Sequence, residues 1–329
     1  MLMENIQARN SGGFLRFFSS RLFKVAVSAA LLIYIGYRFD IGMILSNMWS
    51  ANRLLLISAV AVFIVSGVLG AIQWSFLLGF HGIRLGFGGT VARYFMGLFF
   101  NYLLPGFVGG DVVRVYKTAT VSGQGTQSFS STLADRVIGL LVLVFFSLAA
   151  FVFLPSGPAN RALPAAVFMF FILSGFLCLF AFKPLGSLLK RMFGRFMPHS
   201  FGEKLTAVYG EMHELTRSPI TLLTVFVLSC TIQLTRIGVH YLCAQAVGIE
   251  LSFAWFALFV PVIEIISSLP VSLGGVGVRE TIAFMLFSAV GVDKPVVVSY
   301  TLLATASGFA GALPGGVAFA LSIGERKKA

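Results

Sequence analysis

Leu104-Pro105-Gly106-Phe107-Val108-Gly109-Gly110-Asp111-Val112-Val113-Arg114 returns, 165 positions on, as Leu269-Pro270-Val271-Ser272-Leu273-Gly274-Gly275-Val276-Gly277-Val278-Arg279. Both stretches read L-P-x-x-x-G-G-x-x-V-R. The chain has only 11 Pro, so a Pro, a Gly-Gly and an Arg at shared offsets point to a duplicated half. Each copy closes an apolar stretch with helix-interrupting residues. In a membrane protein, helices broken at equivalent places in two halves are the best sequence pointer to a substrate site. The plainer reading is ordinary punctuation of membrane helices, which tolerate Gly and Pro.

Composition decides the class. Hydrophobic residues make up 57% and charged residues 11%, with a mean hydropathy of +0.93. Soluble domains carry about 45–50% apolar and about 25% charged residues, so this is a polytopic, all-α integral membrane protein. Cys178, Cys230 and Cys243 lie in apolar stretches without metal-ligand spacing, so no disulfide framework, redox centre, metal or cofactor is expected. The net charge of +12 points to anionic lipid headgroups and not to nucleic acid, for which no soluble domain is evident.

A span needs about 20 mostly apolar residues. Candidates are Leu22–Phe39, Leu54–Leu78, Leu133–Leu154, Leu163–Phe182, Ile220–Val247 and Val296–Ile323. In the first, Arg16, Arg21 and Lys24 precede the apolar core but no small-residue cleavage site follows it, and it reads as a retained span. Basic residues gather before Leu22, between Lys183 and Arg217, and at Arg326, Lys327 and Lys328. By the positive-inside rule these three regions, and hence both termini, are cytoplasmic, while 39–52 and 155–162 lie outside. The expected organisation is a cytoplasmic segment 1–21, one membrane domain 22–323 with pseudo-repeat halves near 22–182 and 183–323, and a basic tail 324–329.

This sidedness constrains the two copies. The second span ends on the cytoplasmic side and the span from Leu133 starts there, so 90–122 must enter and return. The same counting makes 253–291 enter and return from outside. Two re-entrant or broken-helix hairpins of opposite sense follow, an inverted-topology repeat. Amphipathic pieces at 41–49, 188–196 and 205–212 have helical spacing suited to the interface or to packing on the bundle.

A charge near the bilayer centre costs about 2.5 to 3.5 kcal/mol on insertion scales, so such residues pair and face a cavity. Here they gather around the copies: Asp111 and Arg114 in the first, Asp135 and Arg136 opening the next span, Arg279 and Glu280 closing the second. Glu264 precedes Pro270 in an apolar block, and Arg236 shares a helical face with Gln233 and His240. Asp111 with Arg114, and Arg279 with Glu280, fit local caps or interfacial pairs as well as substrate contacts. Asp135 and Arg136 fit a structural ion pair near the headgroups. Arg236 needs a partner, and Glu264 or a bound anion are the types available. His240 reads more simply as a hydrogen-bonded core residue than as a proton relay. Backbone N–H groups freed at Pro105, Gly109, Gly110, Pro270, Gly274 and Gly275, together with a nearby Arg, make a site for phosphate or carboxylate. Asn101 can donate or accept at the same place.

These residues resemble the transmembrane region of the lysylphosphatidylglycerol synthase/flippase family. The match runs through Asn101, Leu104-Pro105, Gly109-Gly110-Asp111, Arg114, Asp135-Arg136 with Gly139-Leu140-Leu141, then Leu269-Pro270, Gly274-Gly275, Gly277 and Val278-Arg279-Glu280. The resemblance implies an eight-span-like bundle with paired re-entrant elements in a bacterial cytoplasmic membrane. It implies movement of a lipid or lipid-linked headgroup between leaflets, the candidates being anionic phospholipids, hopanoids and polyprenyl-phosphate sugars. The aminoacyl-transferase domain of the synthase members does not follow the last span, so lysyl transfer is not expected. The 35 Phe suit walls for acyl or isoprenoid chains and equally suit lipid-facing packing. Two other functions compete: a membrane subunit serving a partner glycosyltransferase or lipid synthase, and an intramembrane lipid-modifying enzyme. For the enzyme the chain offers no HExxH, CxxC, Walker-type, DxD or GxSxG motif, so a non-enzymatic transporter is expected.

Overall fold

The computed structural model describes residues 41–104, 108–154, 167–168, 171–172, 175, 199–268, 275 and 277–326. The expected spans 22–39 and 163–182, the amphipathic piece 188–196, the basic stretch from Lys183 to Met197, Pro105, Pro270, Gly274 and the last three residues fall outside these or almost wholly so. The described residues form helices and turns and no strand. The helices are α1 (Ile41–Ser50), α2 (Arg53–Phe80), α3 (Phe87–Leu103), α4 (Val108–Ser122), α5 (Gly125–Phe151), α6 (His199–Thr216), α7 (Pro219–Ala246), α8 (Phe253–Ser267), α9 (Val278–Phe287) and α10 (Lys294–Arg326).

Length separates them into two kinds. Four of them, α2, α5, α7 and α10, are long and apolar enough to cross a membrane. By contrast α3, α4, α8 and α9 have 17, 15, 15 and 10 residues, about 25 Å or less at 1.5 Å per residue, against about 30 Å of hydrocarbon. The short helices come in consecutive pairs, α3 with α4 and α8 with α9, and each pair packs together. Each copy of L-P-x-x-x-G-G lies at the join of its pair.

Contacts at the helix ends give the direction of each element. The Asn52 side chain accepts from the N–H groups of Leu54 and Leu55, capping α2, and the Asn52 N–H donates to the Ala246 carbonyl at 2.9 Å. The start of α2 and the end of α7 therefore share one end of the bundle. Ser299 donates to the Ile44 carbonyl there. At the other end buried His81 meets Ser131 at 2.9 Å and Glu211 at 3.6 Å, joining α2, α5 and α6. Lys117 donates to Ser322, which brings α4 to the far end of α10. The α3–α4 pair follows His81 and leads into α5, so it opens toward this second end. The α8–α9 pair follows Ala246 and leads into α10, so it opens toward the first.

Packing repeats under exchange of α1–α5 with α6–α10. The contact of α3 on α10 matches that of α8 on α5, α2 on α10 matches α7 on α5, and α1 on α10 matches α6 on α5. Between the two sets, α2 and α7 pack on each other more extensively than any other pair of the described helices. The main apolar core sits on the α7–α10 side around Phe256, Phe259, Phe287 and Tyr300. Pro261 interrupts the ladder of α8, and Ser147 of α5 donates to the nearby Leu258 carbonyl at 2.9 Å.

One boundary differs from expectation. The span expected from Leu133 begins at Gly125, which sets Asp135 and Arg136 ten and eleven residues along the helix instead of at its mouth. The intervening Ser131 and Thr132 are buried and satisfied inside the helix, donating to the Gln127 and Ser128 carbonyls.

Candidate functional site

Both short-helix pairs contribute to the wall of a cavity of about 160 Å³, close to the roughly 150 Å³ that holds a benzene-sized molecule. It has room for a headgroup fragment and not for whole acyl chains. Its wall carries Asn101 and Asp111 from the first pair, Glu264 and Arg279 from the second, Asp135 and Arg136 from α5, and Arg236 from α7.

The first pair is built by close contact. A Cβ on Gly110 would lie 1.8 Å from the Gly97 carbonyl oxygen, so α3 and α4 touch only because glycine stands there. The Gly110 N–H, one of the unmet donors at the start of α4, donates to Asn101 Oδ1 at 3.0 Å. Gly109 packs against Leu104. In the second copy glycine serves the backbone instead: Gly275 and Gly277 have φ of 77° and 86°, the left-handed region that disfavours side chains. Glu280 Oε2 accepts from the Gly277 N–H at 2.6 Å, so Glu280 caps α9 rather than pairing with Arg279.

Two ionic clusters flank the cavity. In the first, Arg114 Nη2 donates to Asp135 Oδ2 at 2.8 Å, and Arg114 Nε lies 3.0 Å from Asp111 Oδ1 as an ion pair. Arg136 holds Asp111 through Nε at 2.6 Å and Nη2 at 3.0 Å. Gln73 donates to Asp135 and accepts from Ser229, both at 2.9 Å. The Arg114 guanidinium rests on the rings of Trp74 and Tyr94, 5.1 and 5.2 Å from their centroids. In the second cluster, Arg279 Nε lies 3.0 Å from Glu264 Oε1, Arg279 Nη1 donates to Thr305 at 2.8 Å, and His240 Nε2 lies 3.5 Å from the same Glu264 oxygen.

Arg236 belongs to neither cluster. Its contacts are hydroxyls, Ser66 at 3.3 Å and Tyr94 at 3.4 Å, near the long limit of hydrogen bonding. Glu264, the carboxylate weighed for it from sequence, is held by Arg279. Four guanidiniums thus line the cavity with three carboxylates, Asp111, Asp135 and Glu264, and among the described residues Arg236 is the one of the four with no carboxylate at ion-pair distance.

Of the residues expected at the site, Asn101, Asp111, Arg114, Asp135, Arg136, Arg236, Glu264 and Arg279 line the cavity. Gly109, Gly110, Gly275 and Glu280 shape the two joins behind it. Pro105, Pro270 and Gly274 lie outside the described residues. Sequence reasoning passed over Gln73, Trp74, Tyr94, Ser66, Thr305 and Ser229. Gln73 beside Trp74 in an otherwise apolar span was the one available signal; Ser and Thr in membrane helices usually satisfy themselves locally and give none.

The fold and site define a polytopic all-α membrane protein with a charged internal cavity between two oppositely directed pairs of short helices. The chain belongs to the family described as the lysylphosphatidylglycerol synthase TM region, whose profile matches residues 21–315. It is similar to a UPF0104 membrane protein of Pyrococcus horikoshii, at 25% identity over 85% of this chain and 90% of the relative. It is also similar to a UPF0104 membrane protein of Methanothermobacter thermautotrophicus, at 23% identity over 84% and 85% of the two chains.

Proposed function

We propose that this protein is a flippase-like transporter that moves the anionic headgroup of a lipid or lipid-linked molecule between leaflets. The observation that carries the reading is Arg236: an intramembrane guanidinium whose partners among the described residues are hydroxyls, on the wall of a headgroup-sized cavity that four guanidiniums and three carboxylates of the described residues line. An uncompensated charge in a medium of low dielectric is costly, and an anion entering the cavity removes that cost. Membership of a family described by a lipid synthase supports a lipid as the bearer of the anion. The α3–α4 and α8–α9 pairs act as re-entrant hairpins from opposite faces, and relative motion of the two halves exchanges access to the cavity. Basic residues before Leu22, between Lys183 and Arg217 and after Glu325 favour cytoplasmic termini in a cytoplasmic membrane. The reading assigns movement and no bond-making step.

The test is leaflet translocation by purified protein in liposomes, offered reducible fluorescent analogues of anionic phospholipid, hopanoid lipid and polyprenyl-phosphate sugar. Wild type moves at least one anionic lipid, and folded Arg236→Gln loses most of that movement. Equal rates in both proteins, or no movement of any lipid, would turn the reading toward a partner-dependent membrane subunit. Chemically altered lipid would turn it toward an enzyme.

A further inference from the structure

One turn along α7 from Arg236, His240 also lines the cavity. Its Nε2 faces Glu264 Oε1 at 3.5 Å, while its Nδ1 is buried without a hydrogen-bond partner. An imidazole that directs one nitrogen at a carboxylate carries its N–H there, which leaves the other nitrogen with a bare lone pair in the neutral ring. A second proton has one place to go, and that is Nδ1. Residues four apart on a helix lie about 5–6 Å apart at Cβ, so this proton would add a cation beside Arg236, whose partners among the described residues are hydroxyls.

We infer that His240 is a proton site linked to anion occupancy: a monoanionic headgroup at Arg236 draws one proton onto His240 Nδ1, and anion and proton cross together. The inference rests on the function proposed above. In the empty cavity two neighbouring cations repel in a low dielectric; with the anion present, the same proton is held by attraction. Linkage is reciprocal, so protonation tightens anion binding by the same factor. The proton comes from water on one side and leaves to water on the other. Because the charges of anion and proton cancel, the loaded step moves no net charge, so a pH gradient drives it and a membrane potential does not.

The groups around His240 leave it as the one suited to this task. From α8 it meets Glu264, which is paired with Arg279 of α9; from α10 the Tyr300 ring edge lies 6.2 Å away. From α3 the cavity presents Tyr94 and Tyr102, and from α5 Asp135 and Arg136, which are paired with Arg114 and Asp111; α2 contributes no ionisable side chain to its wall. Cys243 lies on its own helix, bonded to Ser307. Of these side-chain types only imidazole ordinarily changes charge near neutral pH.

Calorimetric titration of the full-length protein in detergent with a short-chain phosphatidylglycerol, repeated from about pH 5.5 to about pH 8 in buffers of different ionisation heat, reads both affinity and proton uptake. The expected result for wild type is an affinity that falls about tenfold or more across this range, with uptake approaching one proton per lipid bound. His240→Gln flattens the pH profile and removes the uptake, and His240→Asn serves if the Gln variant does not fold. Binding by wild type without proton uptake, or uptake that persists in a folded His240 variant, overturns the inference while leaving the anion site standing if Arg236→Gln abolishes binding. No binding by wild type overturns the inference and the proposed anion site together.

Discussion

Arg114, Arg279 and Arg236 are buried or half-buried guanidiniums, and their partners give them different roles. Arg114 and Arg279 lie within ion-pair distance of carboxylates, and removing one member of a buried pair typically costs about 3–5 kcal/mol because it strands the other charge. Arg279→Ala leaves Glu264 with His240 as its one ion-pair partner among the described residues, so the expected outcome is a protein several kcal/mol less stable, seen as a lowered Tm in detergent. Arg236→Gln removes a charge that no carboxylate of the described residues meets at ion-pair distance, and its Tm is expected to stay at or above that of wild type. A fall in Tm for Arg236→Gln as large as that for Arg279→Ala would make Arg236 structural. The sequence alone displays a mid-span arginine at 236, a carboxylate at 264 and an arginine at 279, but it leaves open which pair meets. That depends on how α7 and α8 are rotated about their axes and on where the chain turns between Ser268 and Gly277, neither of which hydrophobic periodicity specifies.

At the scale of helices, duplicated glycines do different work. Gly110 admits the Gly97 carbonyl, so Gly110→Ala is expected to force α3 from α4 and disturb the bond from the Gly110 N–H to Asn101. Gly88→Ala, near the start of α3 where an added Cβ meets nothing within 4 Å, is expected to be neutral or to stabilise by up to about 1 kcal/mol through helix propensity. Comparing the two melting curves checks the contact; equal Tm values would contradict it. The repeat of Gly-Gly was legible, yet its two purposes were not, because close approach and positive φ leave the same letter in a sequence. Helix boundaries follow the same logic. The ends of α2, α7 and α10 lie within a few residues of expectation, whereas α5 begins eight residues early because its first two turns are rich in Ser and Thr. Those hydroxyls look like a loop in one dimension but bond to helix carbonyls and to His81 and Trp74 in three.

For the whole molecule, the exchange of α1–α5 with α6–α10 and the opposite opening of the two short-helix pairs make a sidedness prediction. In a cysteine-free background, exposed Thr120→Cys at the open end of α3–α4 and Asp293→Cys after α9 are expected to react with an impermeant maleimide from opposite sides of sealed vesicles. Labelling of both from one side would contradict the inverted arrangement. The central claim is that one cavity serves both leaflets in turn. Its most direct measurement places a single cysteine on the cavity wall, Leu98→Cys, and follows impermeant-reagent modification from each side, with and without the transported anionic lipid. The account predicts modification from both sides and protection from both by the lipid. Modification from one side only, under every condition, would contradict it.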